Sequence, residues 1–436
     1  MKQERLSKYL LYIWVAASVT LPGYAAGPKR DPNASRGGAI QPAEGGALTL
    51  ARAIRLALEN NPDLHASAAR KEAAAGREVQ AHAWPNPELE VFSQDMPASR
   101  SRLSQAKHMA GFSQIIPYPG KKKADIEIGT ADAAVGSAAW RLQRAVLVRE
   151  VKIAYYQVQT AERSASVAED LVKVAQAAAA AAAKRNAAGE IPLQEQLRAE
   201  IQLEQTQTEK VSAIRETAVA RQELALLLGR PDLREAAFTD APDESADLAP
   251  ASWVPAVWLD GHPAMVAARA RRDHAVATLR RAGLEPLPDV KVGLAGGRDE
   301  AAEENLMELR FTIPLPLFDR SKGKRMEAQA GLREADADIV ATEQRLLAEW
   351  RSATARFKAA AQQVAAHRER ILPKSEEALR LVQSGFEEGK FGYIELLDIQ
   401  RTTAEARLIY QKKLFELNAA RAEIEAMTQP VPANSH

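Results

Sequence analysis

Pro85-Asn86-Pro87-Glu88-Leu89-Glu90-Val91 is written again about 200 residues later as Pro286-Leu287-Pro288-Asp289-Val290-Lys291-Val292. Outward from this pair, nearly the same offset links Asn61-Pro62-Asp63-Leu64 to His262-Pro263-Ala264-Met265 and Ile116-Pro117-Tyr118-Pro119 to Ile313-Pro314-Leu315-Pro316. It also sets Gly189 through Leu197 opposite Gly389 through Leu397. Four matches in one order at nearly the same offset mark a tandem duplication. Each copy reads as a helix, a β-hairpin, a long helix, a glycine turn and another helix. In the first copy these fall at 48–83, 88–117, 122–187, Gly189 and 191–228; in the second, at 255–284, 289–317, 321–384, a turn around Gly385 to Gly392, and 393–427.

Helix length carries the next step. At ~1.5 Å per residue the long helix runs about 95 Å, and two shorter helices stacked end to end run nearly as far, which makes a bundle of even height. The run Ala177 to Ala183 lies inside the long helix. Such a seam lets helix axes approach closely, although helix propensity alone also accounts for it.

Composition agrees with this plan. Hydrophobic residues make up 46% of the 436, which excludes general disorder, yet aromatics make up only 5%. A chain so poor in rings points to long helices meeting through small side chains. The formal net charge is +1 and acids and bases are interspersed, which leaves no basic stripe for nucleic acid. There is no cysteine, hence neither a disulfide nor a lipid-modified N-terminal Cys.

Lys2, Arg5 and Lys8 precede an apolar stretch from Tyr9 to Leu21 and the small residues around Gly23-Tyr24-Ala25. The stretch is short of the roughly 20 residues that span a bilayer, so 1–25 reads as a secretory signal rather than an anchor. The expected organisation continues with an extended leader at 26–46, a first repeat at 47–230, a linker at 231–250, a second repeat at 251–428 and a tail at 429–436.

The hairpins carry the membrane argument. Met307, Leu309, Phe311, Ile313 and Leu315 alternate with Glu308, Arg310, Thr312 and Pro314, and Val290, Val292 and Leu294 with Lys291, Gly293 and Ala295. The strands near Leu89 to Gln94 and Met109 to Ile116 alternate less cleanly. Transmembrane strands need about 9–11 such residues, and a small soluble sheet is the competing reading. Four strands cannot span lipid alone, because their open edges leave backbone groups unpaired. Closure then needs other copies, at least two to reach the roughly eight strands of the smallest barrels; periodicity does not decide between two and three.

With these residues in view, the chain resembles the TolC-type outer-membrane efflux factors. The likeness rests on Leu48-Thr49-Leu50-Ala51-Arg52-Ala53 through Asn60-Asn61-Pro62, on Phe112-Ser113-Gln114 to Pro119-Gly120-Lys121, on the Gly189 and Gly389 turns, and on Leu226-Leu227-Leu228-Gly229. It implies a mainly α fold with a small β part: a homotrimer joining a twelve-stranded transmembrane β-barrel in the outer membrane to a long coiled-coil α-helical barrel in the periplasm. It also implies a passive exit duct for a tripartite efflux system, with a periplasmic adaptor and an inner-membrane pump as partners and no cofactor.

The resemblance implies a gate as well. Phe386-Glu387-Glu388-Gly389-Lys390-Phe391-Gly392-Tyr393-Ile394-Glu395-Leu396-Leu397-Asp398 looks like the narrow end of the family's tunnel, placing Glu395 and Asp398 at its acidic ring. The two are i and i+3 and share a helix face, and a ring of such pairs favours cations. An ordinary solvated face is the bland alternative. The first copy carries Glu195 but has Arg198 opposite Asp398, which makes Arg198 a candidate tie to Glu395 or Asp398 in a closed state. Gly189, Glu190, Gly389 and Lys390 mark the tips expected to meet the adaptor, and Phe391 stands where the family often has a polar or basic residue.

The segment Phe112 to Lys121 resembles the heavy-metal branch, of the cobalt-zinc-cadmium and copper-silver kinds. No metal site is expected: His65, His82, His108, His262, His274, His367 and His436 are scattered without ligand spacing. Drug efflux and type I protein secretion are the alternative cargoes. A periplasmic adaptor would carry one central hairpin, and a structural coiled coil leaves the two β-hairpins unexplained. No phosphate loop, nucleophile elbow or acid/base cluster suggests an enzyme.

Overall fold

The computed structural model of the chain describes residues 47–95, 106–235, 237–238, 244–245, 247–248, 253–300, 302–388 and 390–428. The expected signal, leader and tail lie outside the described residues, as do Gly389 and much of the linker.

The first repeat contains α1 (Leu50–Asn60), α2 (Pro62–His82), β1 (Glu88–Gln94), β2 (Lys107–Ile116), α3 (Lys121–Ala187) and α4 (Leu193–Leu227). The second contains α5 (Pro263–Leu284), β3 (Val290–Asp299), β4 (Glu304–Thr312), α6 (Lys322–Ala366), α7 (Leu372–Glu387) and α8 (Tyr393–Thr428).

Where one helix is expected over 48–83, the chain breaks at Asn61. Its backbone is extended, its side chain accepts from the Leu64 N–H at 3.0 Å, and Pro62 opens α2. A proline at the first position and an Asn cap both favour a fresh start over continuation. The second repeat breaks likewise, with short helical turns over 255–261 and His262 capping α5. The second long helix is also not one rod: a π turn, His367–Ile371, separates α6 from α7, just before Pro373. A proline lacks the N–H that the fourth residue before it would receive, and a local change of helix type accommodates this. Helix α7 runs on to Glu387, so Gly385 is helical rather than part of the expected turn. Strand β4 stops at Thr312, short of the Leu315 limit expected from alternation, because Pro314 and Pro316 cannot donate to the ladder.

Among the described residues the strands form one antiparallel sheet in the order β1-β2-β3-β4. On the strand side, α3 packs against α2 and α5, and α5 against α6, so the helices stand in the order of the strands that feed them. On the far side, α3 packs against α4 and α8, and α8 against α6 and α7. Ion pairs lace neighbouring helices: Arg77–Asp132 at 2.6 Å (α2–α3), Arg281–Asp125 at 2.6 Å (α3–α5) and Arg272–Asp336 at 2.7 Å (α5–α6). Lys152–Glu425 at 2.7 Å joins α3 to α8. These pairs are part-exposed and set register more than stability.

Two short helices do stack beside each long one. The Asn61 side-chain N–H donates to the carbonyl of Leu227 at 2.9 Å, setting the end of α4 against the start of α2. Gly229, at φ +63°, closes α4 against the Asn60 backbone, where a Cβ would collide. The larger apolar cores sit at this waist. Tyr155, Val151 and Val158 of α3 pack there with Leu224 of α4, and Phe357 of α6 packs with Leu414, Leu417 and Ile424 of α8. The Tyr155 hydroxyl donates to the Leu48 carbonyl at 2.9 Å, and its ring meets Phe238 at 5.2 Å. Away from the waist the seams narrow: a Cβ on Gly129 would lie 2.8 Å from that of Ala81, and one on Gly136 2.9 Å from that of Ala74. Such spacing draws the axes of α2 and α3 together.

Candidate functional site

Two surfaces carry the chemistry, the helical tips and the sheet. At the first tip, Gly189 adopts φ +76°, the Glu190 N–H donates to Arg185 O at 2.9 Å and the Gly189 N–H to Asn186 O at 2.9 Å. This is a Schellman closure of α3. The second tip repeats it, with the Lys390 N–H donating to Gly385 O at 2.7 Å and the Glu388 N–H to Ser384 O at 3.0 Å. Lys390 also pairs with Glu388, and Arg185 with Glu190 at 3.1 Å.

The two tips pack on each other through a small apolar cluster. Tyr393, at the head of α8, is buried against Ala178, Ala179 and Ala182 of α3 and Ala199 of α4, with Phe386 and Leu397 beside it. The Tyr393 and Phe386 rings lie 6.3 Å apart, and the Arg185 guanidinium sits 5.5 Å over Phe386. The Tyr393 hydroxyl has no hydrogen-bond partner among the described residues, and burial pushes its phenol up to about 12. Phe391 lays its ring on Gly385, which explains why a glycine stands inside α7.

With Tyr393 and Leu396 buried, the opposite side of α8 presents Glu395 and Asp398, both exposed. They share a face, one turn apart, as the sequence predicts. Arg198 is exposed on α4 and forms no ion pair with Glu395, Asp398 or any other described residue of its own chain. Gly189, Glu190 and Lys390 stand at the tips, and Gly389 lies outside the described residues.

The sheet separates its chemistry by face. Leu89, Phe112, Leu294 and Leu309 are cross-strand partners along one row, and all four are exposed. Val91 and Met307 continue this face one row further. The other face holds a charged network. Lys291 Nζ contacts Glu88 at 2.7 Å and Glu90 at 2.9 Å, Arg310 contacts Glu90 at 3.5 Å and Glu308 at 2.7 Å, and Ser113 donates to Glu90 at 2.7 Å. The Arg310 guanidinium also lies 4.9 Å over Phe92. The period-two rule assigns the faces but does not show that these five charges meet, because that needs the register between distant hairpins. Tyr393 and Phe386 are equally hidden in the sequence, since the partners of Tyr393 on α3 and α4 lie about 200 residues away. Among the described residues no group of His, Asp and Glu is gathered closely enough to hold a metal.

Comparisons with known proteins fit this geometry. A family model described as outer membrane efflux protein matches residues 53–230 and 257–428. The cobalt-zinc-cadmium resistance protein CzcC of Cupriavidus metallidurans is 29% identical over 390 residues, 87% of this chain and 90% of its own length. A solved membrane protein from Pseudomonas aeruginosa is similar with a TM-score of 0.77 at 22% identity, covering 87% of this chain and 90% of that one. CusC, solved for conformational changes accompanying folding and transmembrane channel formation, gives 0.74 at 19% identity, covering 87% and 91%.

Proposed function

The chain belongs to the outer membrane efflux protein family, and from that premise we propose that three copies close into one duct, a twelve-stranded barrel continued by a helical tunnel. It is an outer-membrane efflux channel protein with its helices in the periplasm, and not an enzyme. One observation carries the closure: strands and helices stand in the same lateral order, with β1 and β4 each left unpaired on one side among the described residues. A sheet with an apolar row on one face and charges on the other is stable in lipid only when its edges are joined. The four strands found among the described residues of each chain would give twelve in a trimer. Helices four abreast, about 10 Å apart, would then surround a bore on the order of 25 Å wide.

The tips are the proposed gate and docking end. Three copies of Glu395 and Asp398 would ring the narrow end with carboxylates, attracting cations and resisting anions. Arg198, unpaired among the described residues of its own chain, would pair with Glu395 or Asp398 of a neighbouring copy when the tunnel is shut. Gly189, Glu190, Gly389 and Lys390 would meet the periplasmic adaptor, which connects the duct to an inner-membrane pump. The proposed cargo is a divalent heavy-metal cation, supported by the likeness to a cobalt-zinc-cadmium resistance protein. A duct need not bind its cargo, so selection belongs to the pump.

The test is growth of a strain lacking this chain, with and without its restoration, on zinc, cobalt, cadmium, copper and silver beside dyes and detergents. Selective loss of metal tolerance is expected; sensitivity to organic compounds alone would refute the metal cargo. For the gate, Glu395→Ala with Asp398→Ala should weaken the cation preference of single channels in a planar bilayer. An unchanged preference would remove the acidic ring from the mechanism.

A further inference from the structure

Each passage between helix and strand is a Pro-x-Pro joint: Pro85/Pro87, Pro117/Pro119, Pro286/Pro288 and Pro314/Pro316. Large apolar side chains stand bare around three of these joints, the Pro286/Pro288 joint being the exception. Phe318 is fully exposed, Leu315 is 71% exposed, Leu317 64% and Trp84 62%, and Tyr118 is also exposed. Beside them, Ile116 and Ile313 are exposed on the same parity as Phe112 and Phe311, which belong to the apolar face of the sheet.

The charges beside them run against helix preference. Helices α3 and α6 have no acidic residue in their first turns, but open with Lys121, Lys122 and Lys123 and with Lys322 and Lys324. The macrodipole already makes these ends positive, so lysines there are locally unfavourable. Some are answered within the chain: Lys121 by Asp289 at 3.1 Å, Lys122 by the carbonyls of Ala81 and Ala83, and Lys324 by Glu285. The side chains of Lys123, Arg320, Lys322 and Arg325 have no partner among the described residues.

We propose that the joints at Pro85/Pro87, Pro117/Pro119 and Pro314/Pro316 form a collar for anionic phospholipid, with the exposed aromatic and leucine side chains at the acyl–headgroup boundary and the four unpaired cations against headgroup phosphates. The proposal rests on the reading that the sheet lies in lipid and the helices in the periplasm. Apolar and aromatic bands at a membrane interface and basic residues beside them match the two layers of such a surface. A second copy of the chain fits less well as the occupant. Trp84 and Phe318 flank the edge elements, but Tyr118 joins β2 to α3 in the middle of the sheet, out of reach of a neighbour's edge.

The test uses the full chain reconstituted as a conducting channel in phosphatidylcholine containing phosphatidylglycerol, with Phe318→Trp introduced beside Trp84→Phe. The fluorescence of the introduced indole is read as the difference from Trp84→Phe alone. Bromine labels placed high in the acyl chain should quench this indole more than labels near its methyl end. Brominated phosphatidylglycerol should quench more than brominated phosphatidylcholine at equal mole fraction, with a local enrichment of about fivefold, the ratio that one cation near an anionic surface supplies. Combining Lys123→Gln, Arg320→Gln, Lys322→Gln and Arg325→Gln should equalise the two lipids. A conducting channel whose introduced indole is unquenched, or is quenched equally by both lipids before the charges are removed, overturns the collar and leaves the duct intact. Trp84→Cys and Phe318→Cys that crosslink neighbouring copies would assign this surface to the seam instead. A full chain that leaves the vesicles on alkaline or urea washing, so that it is not inserted in the bilayer at all, sinks both readings.

Discussion

Leu294→Arg should cripple assembly, whereas Ala295→Lys, one residue along, should not. Leu294 is the fifth of ten residues in β3 and belongs to the exposed apolar row. Ten residues at ~3.4 Å each, tilted by ~40°, span about 26 Å, the height of the apolar band of a transmembrane barrel. Leu294 therefore sits within a few ångströms of the midplane, where an Arg costs ~2–4 kcal/mol. Three copies multiply this to ~6–12 kcal/mol, as large as the ~5–15 kcal/mol by which a typical folded domain is stable. Ala295 projects to the charged face opposite Glu308, where a lysine gains a cross-strand partner, so its effect should stay within ~1 kcal/mol. The measurement is guanidinium titration of protein folded into lipid vesicles, together with the yield of detergent-resistant oligomer. Equal losses from both substitutions, or a loss below ~1 kcal/mol from Leu294→Arg, would refute the assignment of the apolar row to lipid.

Further expectations concern the waist and the tips. Burial and the charge of Arg149 hold His262 down to about 4, below its ordinary 6.5. The unfolded chain therefore binds the extra proton first, and stability present above about 6.5 should drain away as pH falls toward 4, by at most ~3 kcal/mol. His262→Asn, which copies the Asn61 cap of the first repeat, should keep the helix start and flatten that slope in thermal melts against pH. Tyr155→Phe should cost ~1 kcal/mol through the lost bond to Leu48, and Tyr155→Ala ~3–5 kcal/mol through the cavity left at the waist; equal losses would deny the packing role of the ring. Phe386→Ala should loosen the packing of the α7–α8 tip on α3 within one chain and raise resting conductance at high and low salt alike, because that seam is apolar; an effect confined to low salt would assign the packing of the tip to its ion pairs instead.

Much of this architecture is legible in the sequence because duplication prints its boundaries twice. The glycine turns, the proline joints and the alternation in β3 and β4 each need only local rules of backbone and period. Interruptions are harder to read. The start of α2 at Pro62 follows from a cap and a proline that also fit a continuous apolar pattern, and the π turn before Pro373 replaces what that pattern presents as an unbroken helix. Contacts between repeats are out of reach: the Lys291–Glu90 and Arg310–Glu90 pairs and the Tyr393 cluster depend on which elements become neighbours. The positions of Glu395 and Asp398 on one exposed face follow from helix period alone, whereas what faces them depends on copies of the chain beyond their own.

Duplication should yield two equal struts, yet only one is whole. Helix α3 runs 67 residues without interruption, touching the strand-side helices at one end and the tip helices at the other. Its counterpart is jointed at His367–Ile371, near the level of the linker, where Arg368 reaches Glu244 at 3.5 Å and Tyr410 donates to the same carboxylate at 2.7 Å. A load applied at the tips would meet an unbroken rod in the first repeat and a change of helix type in the second, so bending is expected first where α6 meets α7. That hairpin carries Glu395 and Asp398. On that expectation the two halves would divide the mechanical work, one serving as mast and the other as boom.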